Sequence, residues 1–347
     1  MTAALAARQL LLERARLDPA EAIRRLTPLQ GQHPPAPYLA LAARLDGFTR
    51  ERLERAIDAG RVVKTTVMRR TLHLVAAADF PAYAQLVRQG GMRTWRTKYS
   101  HLDEERVDAE LRAWFAQAPR TNAEIRERVA QYDIEIEGPW TTVLFARTLL
   151  PLVQLPPAGH YADPRRPLFV VDPRPLPHPD DAATTVLTRY LAAFGPASKR
   201  DVAAWAGSTQ RDFAPAWERI DTVAYEDENG TELLDLPNAP LPPASTKLPP
   251  RLLAHWDQPL LAYKDRARIM SPEVEALRLT ISGDATVTVD GRVAASWRLE
   301  REGDAVRVTI TPHTEIRRGA RAAINNEAKR TARIAEPDAS SYEVAGL

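Results

Sequence analysis

The sequence predicts an α+β chain assembled from repeated units, each a set of helices followed by a β-hairpin. Three observations lead there. Helical spacing of apolar residues holds up to Gly60 and gives way to a β-branched run. The same order returns after Thr121 and again after Gly195. A separate β-rich piece, punctuated by Gly283-Asp284, Asp290-Gly291 and Gly303-Asp304, follows a proline-rich stretch. Helices and then a hairpin is the order of a winged helix. Three tandem winged-helix units are therefore expected, over residues 1–120, 121–178 and 179–236. Residues 237–347 are expected to form a proline-rich linker, a β-rich subdomain and a last helix.

In the first unit Leu5, Leu10, Leu12 and Leu17 share one apolar stripe, which predicts an amphipathic helix. Asp18-Pro19 supplies an N-cap and a proline at the first helical position, with Ala22, Ile23 and Leu26 as the next inward face. Residues 30–35 read as a loop and 37–45 as a helix. Thr49 opens a further helix with Leu53 and Ile57 inward and Gly60 at its C-cap. Residues 61–68 and 71–75 then predict a hairpin with Arg69-Arg70 at its tip, although no Asn-Gly or Asp-Gly marks the turn.

The second unit starts at the capping box Thr121/Glu124, with Ile125 and Val129 inward. A helix after Pro139 and strands near 152–155 and 168–171 complete it. In the third, Gly195-Pro196, Ser198 and Asp201 precede helices near 198–206 and 208–220 and strands near 223–226 and 232–236. Pro237, Pro240, Pro242, Pro243, Pro249 and Pro250 mark the linker. Strands are expected at 277–281, 285–289, 292–299 and 305–310, a helix at 315–334, and a frayed polar tail. Asp290-Gly291 is a strong hairpin turn.

A 44% hydrophobic and 27% charged composition over 347 residues fits a globular chain with a sizeable core. The absence of cysteine excludes disulfides, thiolate metal sites, iron–sulfur clusters and a cysteine nucleophile. The longest apolar runs fall far short of the roughly 18 residues a membrane span needs, and no basic region precedes the first apolar run as in a signal peptide. A soluble, cytoplasmic protein is expected. The net charge of +2 hides an asymmetry: residues 1–130 are net basic and the remainder net acidic. Most of the 47 cations are arginine, which suits bidentate phosphate contacts and points to a polyanionic partner.

No dinucleotide fingerprint, P-loop or HExxH motif is present, and the seven histidines show no metal-ligand spacing. Gly207-Ser208-Thr209 lacks the pattern of a nucleophile elbow. Neither a metal nor a cofactor is expected. The unusual element is Gln30-Gly31-Gln32, followed by His33, Pro34 and Pro35. It is either a polar connector or a pair of neutral amides presented from a stiff turn and able to hold a water. An amide has no useful pKa near neutrality, so it cannot act as a general base. Arg69-Arg70 is likewise either a solvated tip or a contact to a DNA backbone. His73, on the returning strand, reads first as a hydrogen-bonded structural histidine.

Taken as an ordered set, several segments resemble a bacterial family of winged-helix DNA-binding-domain proteins that includes the AlkZ and YcaQ DNA glycosylases. They are Arg8 to Leu12, Leu29 to Gln32 with Pro35 to Tyr38, Met68 to His73, Phe194 to Ala197 with Asp201, and Trp205 to Gly207. Arg251 to Leu253, Asp257, Asp265-Arg266 and Val289 to Val293 with Trp297 continue the likeness. In AlkZ-like members a Q-x-Q pair is the catalytic element, and Gln30 and Gln32 match it. YcaQ-like members place an aspartate second, so this chain is closer to the AlkZ side.

The resemblance implies tandem winged helices in a C-shaped arrangement around a DNA channel, probed by a β-hairpin. It implies a monofunctional DNA glycosylase that excises alkylated purines such as N7-alkylguanine, with interstrand crosslinks as a further substrate. Gln30 and Gln32 would orient the attacking water, Arg69 and Arg70 would hold the duplex, and His33 and His73 would border the DNA-binding pocket. The partner is double-stranded DNA carrying alkylated purines, with the protein as a monomer. Two departures stand out: Gly31 sits where an aliphatic or aromatic residue is usual, and 293–297 lacks the glycine often found before Ser/Thr-Trp. The alternative is a non-enzymatic winged-helix DNA-binding protein.

Overall fold

The computed structural model describes residues 2–134, 141–163 and 166–347, so Pro139 lies outside the described residues. The first helix, α1 (Thr2–Arg8), stops short of the expected Leu17. Leu10 takes a left-handed backbone, φ 54°, and the leucines of the stripe divide between two cores. Leu5 and Leu12 join one core, while Leu10 and Leu17 pack against another. Helix α2 (Pro19–Leu26) begins as expected: Asp18 accepts from the Ala20 amide at 2.9 Å and Pro19 fills the first position.

Next comes a strand where a loop was expected. Strand β1 (Leu29–Gln30) precedes α3 (Ala36–Arg44) and α4 (Arg50–Asp58). Strands β2 (Val62–Thr66) and β3 (Leu72–Ala76) form the expected antiparallel hairpin, and β1 lies along the other side of β3. The tip is a 3₁₀ turn, Met68–Arg70, in which Arg69 and Arg70 both have positive φ, 53° and 58°. Arginine pays a steric penalty for that conformation, on the order of 1–2 kcal/mol per residue, and the connection Val67–Thr71 is longer than the two-residue loop that Asn-Gly marks.

Two helices with no counterpart in the sequence reading follow, α5 (Phe80–Lys98) and α6 (Glu104–Gln117). Then β4 (Arg120–Thr121) leads into α7 (Asn122–Ala130), whose capping box Thr121/Glu124 is formed. Helix α8 (Thr141–Leu149), β5 (Leu152–Gln154) and β6 (Leu168–Val171) follow. Among the described residues β1 to β6 make a single sheet in the order β1-β3-β2-β5-β6-β4. The joint is β2 against β5, with Lys64 opposite Gln154 and Thr65 opposite Val153. The hairpins of the first two stretches thus share one sheet.

Helix α9 (Pro179–Phe194) buries one broad face, including Val186, Leu187, Tyr190, Leu191 and Phe194. Ser198 and Asp201 cap α10 (Lys199–Ala206), and a 3₁₀ turn, Gln210–Phe213, leads into α11 (Ala214–Arg219). Strands β7 (Val223–Glu226) and β8 (Glu232–Asp235) form a separate hairpin. After the proline-rich stretch, β9 (Arg251–Leu253), β10 (Ala285–Val289), β11 (Arg292–Glu302) and β12 (Ala305–Pro312) build the second sheet, and α12 (Arg318–Ala335) packs on it. Asp290 and Gly291 make the tight turn with φ 49° and 75°.

Two expectations for this region fail. Residues 277–281 are not a strand. Leu279–Ser282 is one helical turn, and Leu277 and Ile281 are exposed. Both sides of β10 are already paired, with β9 and β11, so no edge is free for a preceding strand. Nor is the tail frayed: β13 (Ser341–Ala345) pairs in parallel with β12. Its backbone completes the open edge of the sheet, which polar composition alone does not reveal.

Among the described residues three apolar cores result. The largest joins α1, the hairpin tip, α5, α9, α10 and β9. A second joins residues 22–76 to the C-terminal sheet and α12, and the third lies among α5 to α8 and β6. Two buried bidentate ion pairs fasten distant segments. Arg8 reaches Asp235 at 2.8 and 2.7 Å, and Arg44 reaches Asp257 at 3.0 and 2.6 Å. Removing one partner of such a buried pair strands the other charge, at about 3–5 kcal/mol. Arg8 and Asp257, which contribute to the family likeness, are therefore fastenings of the fold.

Candidate active site

Strand β1 is two residues long, yet it fixes the glutamine motif. Gln30 stands directly opposite His73 of β3, and the Gly31 amide donates to the Leu72 carbonyl at 2.8 Å. Residues directly opposite in an antiparallel pair share a face, as do residues two apart on one strand. Gln30, Thr71 and His73 therefore share one face of the sheet, at its edge.

The two glutamines touch. Gln30 Nε2 donates to Gln32 Oε1 at 3.1 Å and to Thr71 Oγ1 at 3.3 Å, and Gln30 Oε1 accepts from the Gln32 backbone amide at 3.1 Å. Gln30 is buried, whereas Gln32 is exposed. Each amide oxygen has two lone pairs, so one remains on Gln32 Oε1 and one on Gln30 Oε1 after these contacts. Gly31 does not loosen the motif. Its φ is not left-handed, and a Cβ there would meet the His73 backbone at 3.5 Å, an ordinary contact. The segment before β1 is also held: Gln258 donates from its amide to the Pro28 carbonyl and accepts from the Trp205 indole at 3.4 Å.

The histidines beside the pair are neutral. His73 is fully buried, with Nδ1 donating to the Thr71 carbonyl at 2.9 Å and Nε2 without a partner among the described residues. Burial, with the Arg69 charge behind it, pushes its pKa down to about 3. His33 lies with its ring centroid 4.3 Å from that of His255. Burial and then His255 lower its pKa to about 4. With no exposed surface, His73 stands behind the glutamines and offers no face to a duplex.

The arginine turn is built differently. Arg69 donates to the Trp205 carbonyl, and its Nη2 is buried without a partner among the described residues. Burial, with Arg266 nearby, lowers its pKa to about 10, so it stays cationic at neutral pH. Arg70 is exposed. The turn fits against the C-terminal end of α10 only because residue 207 is glycine: its φ is +68°, and a Cβ would stand 2.7 Å from the Arg69 backbone. Arg69, Arg70, Arg93, Gly207, Ser208 and Thr209 line a shared cleft, in which Arg93 is bound to Asp212. Trp205 links the two regions, taking Arg69 on its carbonyl and, through Gln258, steadying the entry to β1.

The structure thus brings Gln30, Gln32, His73 and Thr71 together, and sets Arg69 and Arg70 around a separate cleft. Thr71 and His255 were not singled out from the sequence; both reach the site by pairing or packing between distant segments. Among the described residues no group of three or more His, Asp or Glu side chains could hold a metal ion. No helix among them is long and apolar enough to cross a membrane.

A mixed α+β fold with a neutral polar pair at a sheet edge beside an arginine-lined cleft fits an enzyme that works on DNA, and comparison with known proteins narrows the class to the DNA glycosylases. The profile described as DNA glycosylase AlkZ-like matches residues 23–334. The chain belongs to the AlkZ-like DNA glycosylase family. It is 26% identical, over 94% of its length and 93% of the relative's, to an interstrand DNA cross-link repair glycosylase of Streptomyces sahachiroi. Its fold matches the solved structure of Streptomyces sahachiroi DNA glycosylase AlkZ with a TM-score of 0.79 at 22% identity, covering 99% of this chain and 98% of that one. The protein is therefore an enzyme acting on the N-glycosidic bonds of DNA, and the non-enzymatic alternative falls away.

Proposed function

We propose that this glycosylase excises alkylated purines, N7-alkylguanine foremost, and unhooks crosslinks made through that position, with water positioned by Gln30 and Gln32. The observation that carries the reading is the mutual contact of two neutral amides whose oxygens each keep a lone pair. Alkylation at N7 makes the base cationic. The C1′–N9 bond then breaks with its electron pair going to the base, which leaves neutral without an acid. Positive charge develops on the sugar, water oxygen attacks C1′, and the water releases its proton to solvent. Such a reaction asks for a held water rather than a proton donor. Positioning of this kind lowers a barrier by about 7–11 kcal/mol at most.

The neutrality of His33 and His73 agrees with acid-free departure. The exposure of Gln32 suits a bulky adduct that cannot be swung into a closed pocket. The relative named for interstrand cross-link repair lends the same support. In this reading Arg70, with Arg69 behind it, meets phosphates, and the helix-and-hairpin stretches act as tandem winged helices around a C-shaped DNA channel. The enzyme, in this reading, works on the duplex as a cytoplasmic monomer.

The test is base release from a duplex carrying one N7-methylguanine, under single-turnover conditions with spontaneous depurination subtracted. Wild-type protein is expected to release the base, and Gln30→Ala or Gln32→Ala to slow release at least tenfold with duplex binding intact. Release at the wild-type rate by both variants would falsify the glutamine mechanism. No release from this lesion, a bulkier adduct or a crosslink would remove the substrate assignment.

A further inference from the structure

The glutamine pair has a direction, and two backbone groups of fixed polarity set it. At one end stands the Gln32 backbone N–H, which only donates, 3.1 Å from one end of the Gln30 amide. That end must be Oε1. At the other end stands the Met68 carbonyl, which only accepts. The Thr71 hydroxyl lies 3.2 Å from it and has a single hydrogen to give. Having given that hydrogen to Met68, Thr71 Oγ1 faces Gln30 with lone pairs only, so the group 3.3 Å away must be the Gln30 NH₂. The second hydrogen of that NH₂ then goes to Gln32 Oε1 at 3.1 Å.

This uses up the Gln30 amide nitrogen. Both its hydrogens are committed, its side chain is buried, and its oxygen already accepts one hydrogen bond. Gln32 is exposed, with its own oxygen held in place by the Gln30 donor. On the water-positioning reading the two glutamines are unequal: exposed Gln32 is placed to meet the water, and buried Gln30, keeping one oxygen lone pair, chiefly aims it. Thr71 immediately precedes β3 in an extended conformation, two residues before His73, where the chain leaves the arginine turn.

We propose that Thr71 is a positioning residue of this glycosylase, its hydroxyl transmitting the polarity of the Met68 carbonyl to Gln30 and thereby orienting the Gln32 amide oxygen. The proposal rests on the reading of Gln30 and Gln32 as the water-positioning pair. It adds a residue that neither composition nor motif spacing singled out.

The experiment uses the full-length protein and the N7-methylguanine duplex, with release rate measured against enzyme concentration for wild type, Thr71→Val, Thr71→Ser, Gln30→Ala and Gln32→Ala. Valine keeps the β-branched shape and removes only the hydroxyl. Loss of one hydrogen bond of ordinary net strength corresponds to roughly a tenfold effect. Thr71→Val is expected to lower the plateau rate by about that factor with half-saturation unchanged within about twofold, and Thr71→Ser to recover the rate. A Thr71→Val plateau equal to wild type overturns the proposal while Gln32→Ala remains slow, which leaves the glutamine reading standing. If Thr71→Val is slow but serine fails to rescue it, or duplex binding falls in parallel, Thr71 only shapes the strand and the proposal is lost. If Gln30→Ala and Gln32→Ala match wild type, the underlying reading fails and the proposal with it.

Discussion

The glutamine edge and the arginine turn are neighbours in sequence and opposites in construction. Around Gln30 the side chains are neutral: the amides carry no charge, His33 and His73 are held neutral chiefly by burial, and the donors and acceptors of Gln30, Gln32 and Thr71 are matched in a directed chain. Around Arg69 the charge is kept, the backbone is strained, and a buried guanidinium nitrogen has no partner among the described residues. Under the proposed function this difference is a division of labour. Chemistry whose leaving group departs unaided needs geometry and no proton, so satisfied neutral groups serve it. Attraction to a polyanion needs net positive charge left uncancelled.

That division gives experiments in descending size of effect. The largest is expected at the glutamines, where Gln32→Ala slows the chemical step at least tenfold and leaves affinity alone. Next, Arg70→Ala is expected to weaken duplex binding about fivefold and to reduce the salt slope by about 1, the signature of one lost phosphate contact, with release at saturating enzyme unchanged. Competition titrations at several salt concentrations read both quantities.

The comparison also predicts how pH acts. Because His33 titrates at about 4 and His73 at about 3, both stay neutral through the physiological range, and release is expected to be flat from roughly pH 6 to 9. Stability follows the opposite ends of the same shifts. Both folded values lie below the unfolded histidine value, so the unfolded chain binds more protons between them. The contribution is complete above about pH 6.5 and is lost as pH falls toward 4 and then 3. Thermal melts from pH 7 to pH 4 check it, and a bell-shaped release profile centred near neutrality would contradict the neutral site. The smallest effect is at Gly31. Gly31→Ala meets only ordinary contacts in a backbone that alanine can adopt, so release is expected within about twofold of wild type. Stability is expected to rise by about 0.4–1 kcal/mol in denaturant titrations.

Much of this molecule is legible in its sequence, and what is not has identifiable causes. Local signals hold. The Asp18-Pro19 start of α2, the capping boxes at Thr121 and Ser198, the Asp290-Gly291 turn and the β2–β3 hairpin all depend on neighbours a few residues away. Non-local features escape. Strand β1 is too short to show a period, so the edge that fixes Gln30 is visible only once β3 is in place. Helix α9 by contrast is amphipathic, with Ala182, Val186, Tyr190 and Ala193 inward and Asp181, Thr184, Thr188 and Arg189 outward. The pairing of β13 with β12 is invisible in a polar tail.

The site divides in the same way. Gln30 and Gln32 stand out as a rare pattern, and Arg69-Arg70 as a charged tip. Thr71, which completes the hydrogen-bond chain, looks like any strand threonine, and its role depends on the polarity of a carbonyl three residues earlier. The two arginines, seen in sequence as equals, are separated by the fold: Gly207 lets the turn press inward, which tucks Arg69 onto the Trp205 carbonyl and leaves Arg70 outside.

The most direct test of the account is a single-turnover titration on the N7-methylguanine duplex that compares Gln32→Ala with Arg70→Ala. Fitting rate against enzyme concentration separates the plateau from the half-saturation point. The account predicts that Gln32→Ala lowers the plateau and leaves half-saturation in place, while Arg70→Ala shifts half-saturation and leaves the plateau. Both variants moving the same parameter would contradict the separation of chemistry from binding on which the account rests.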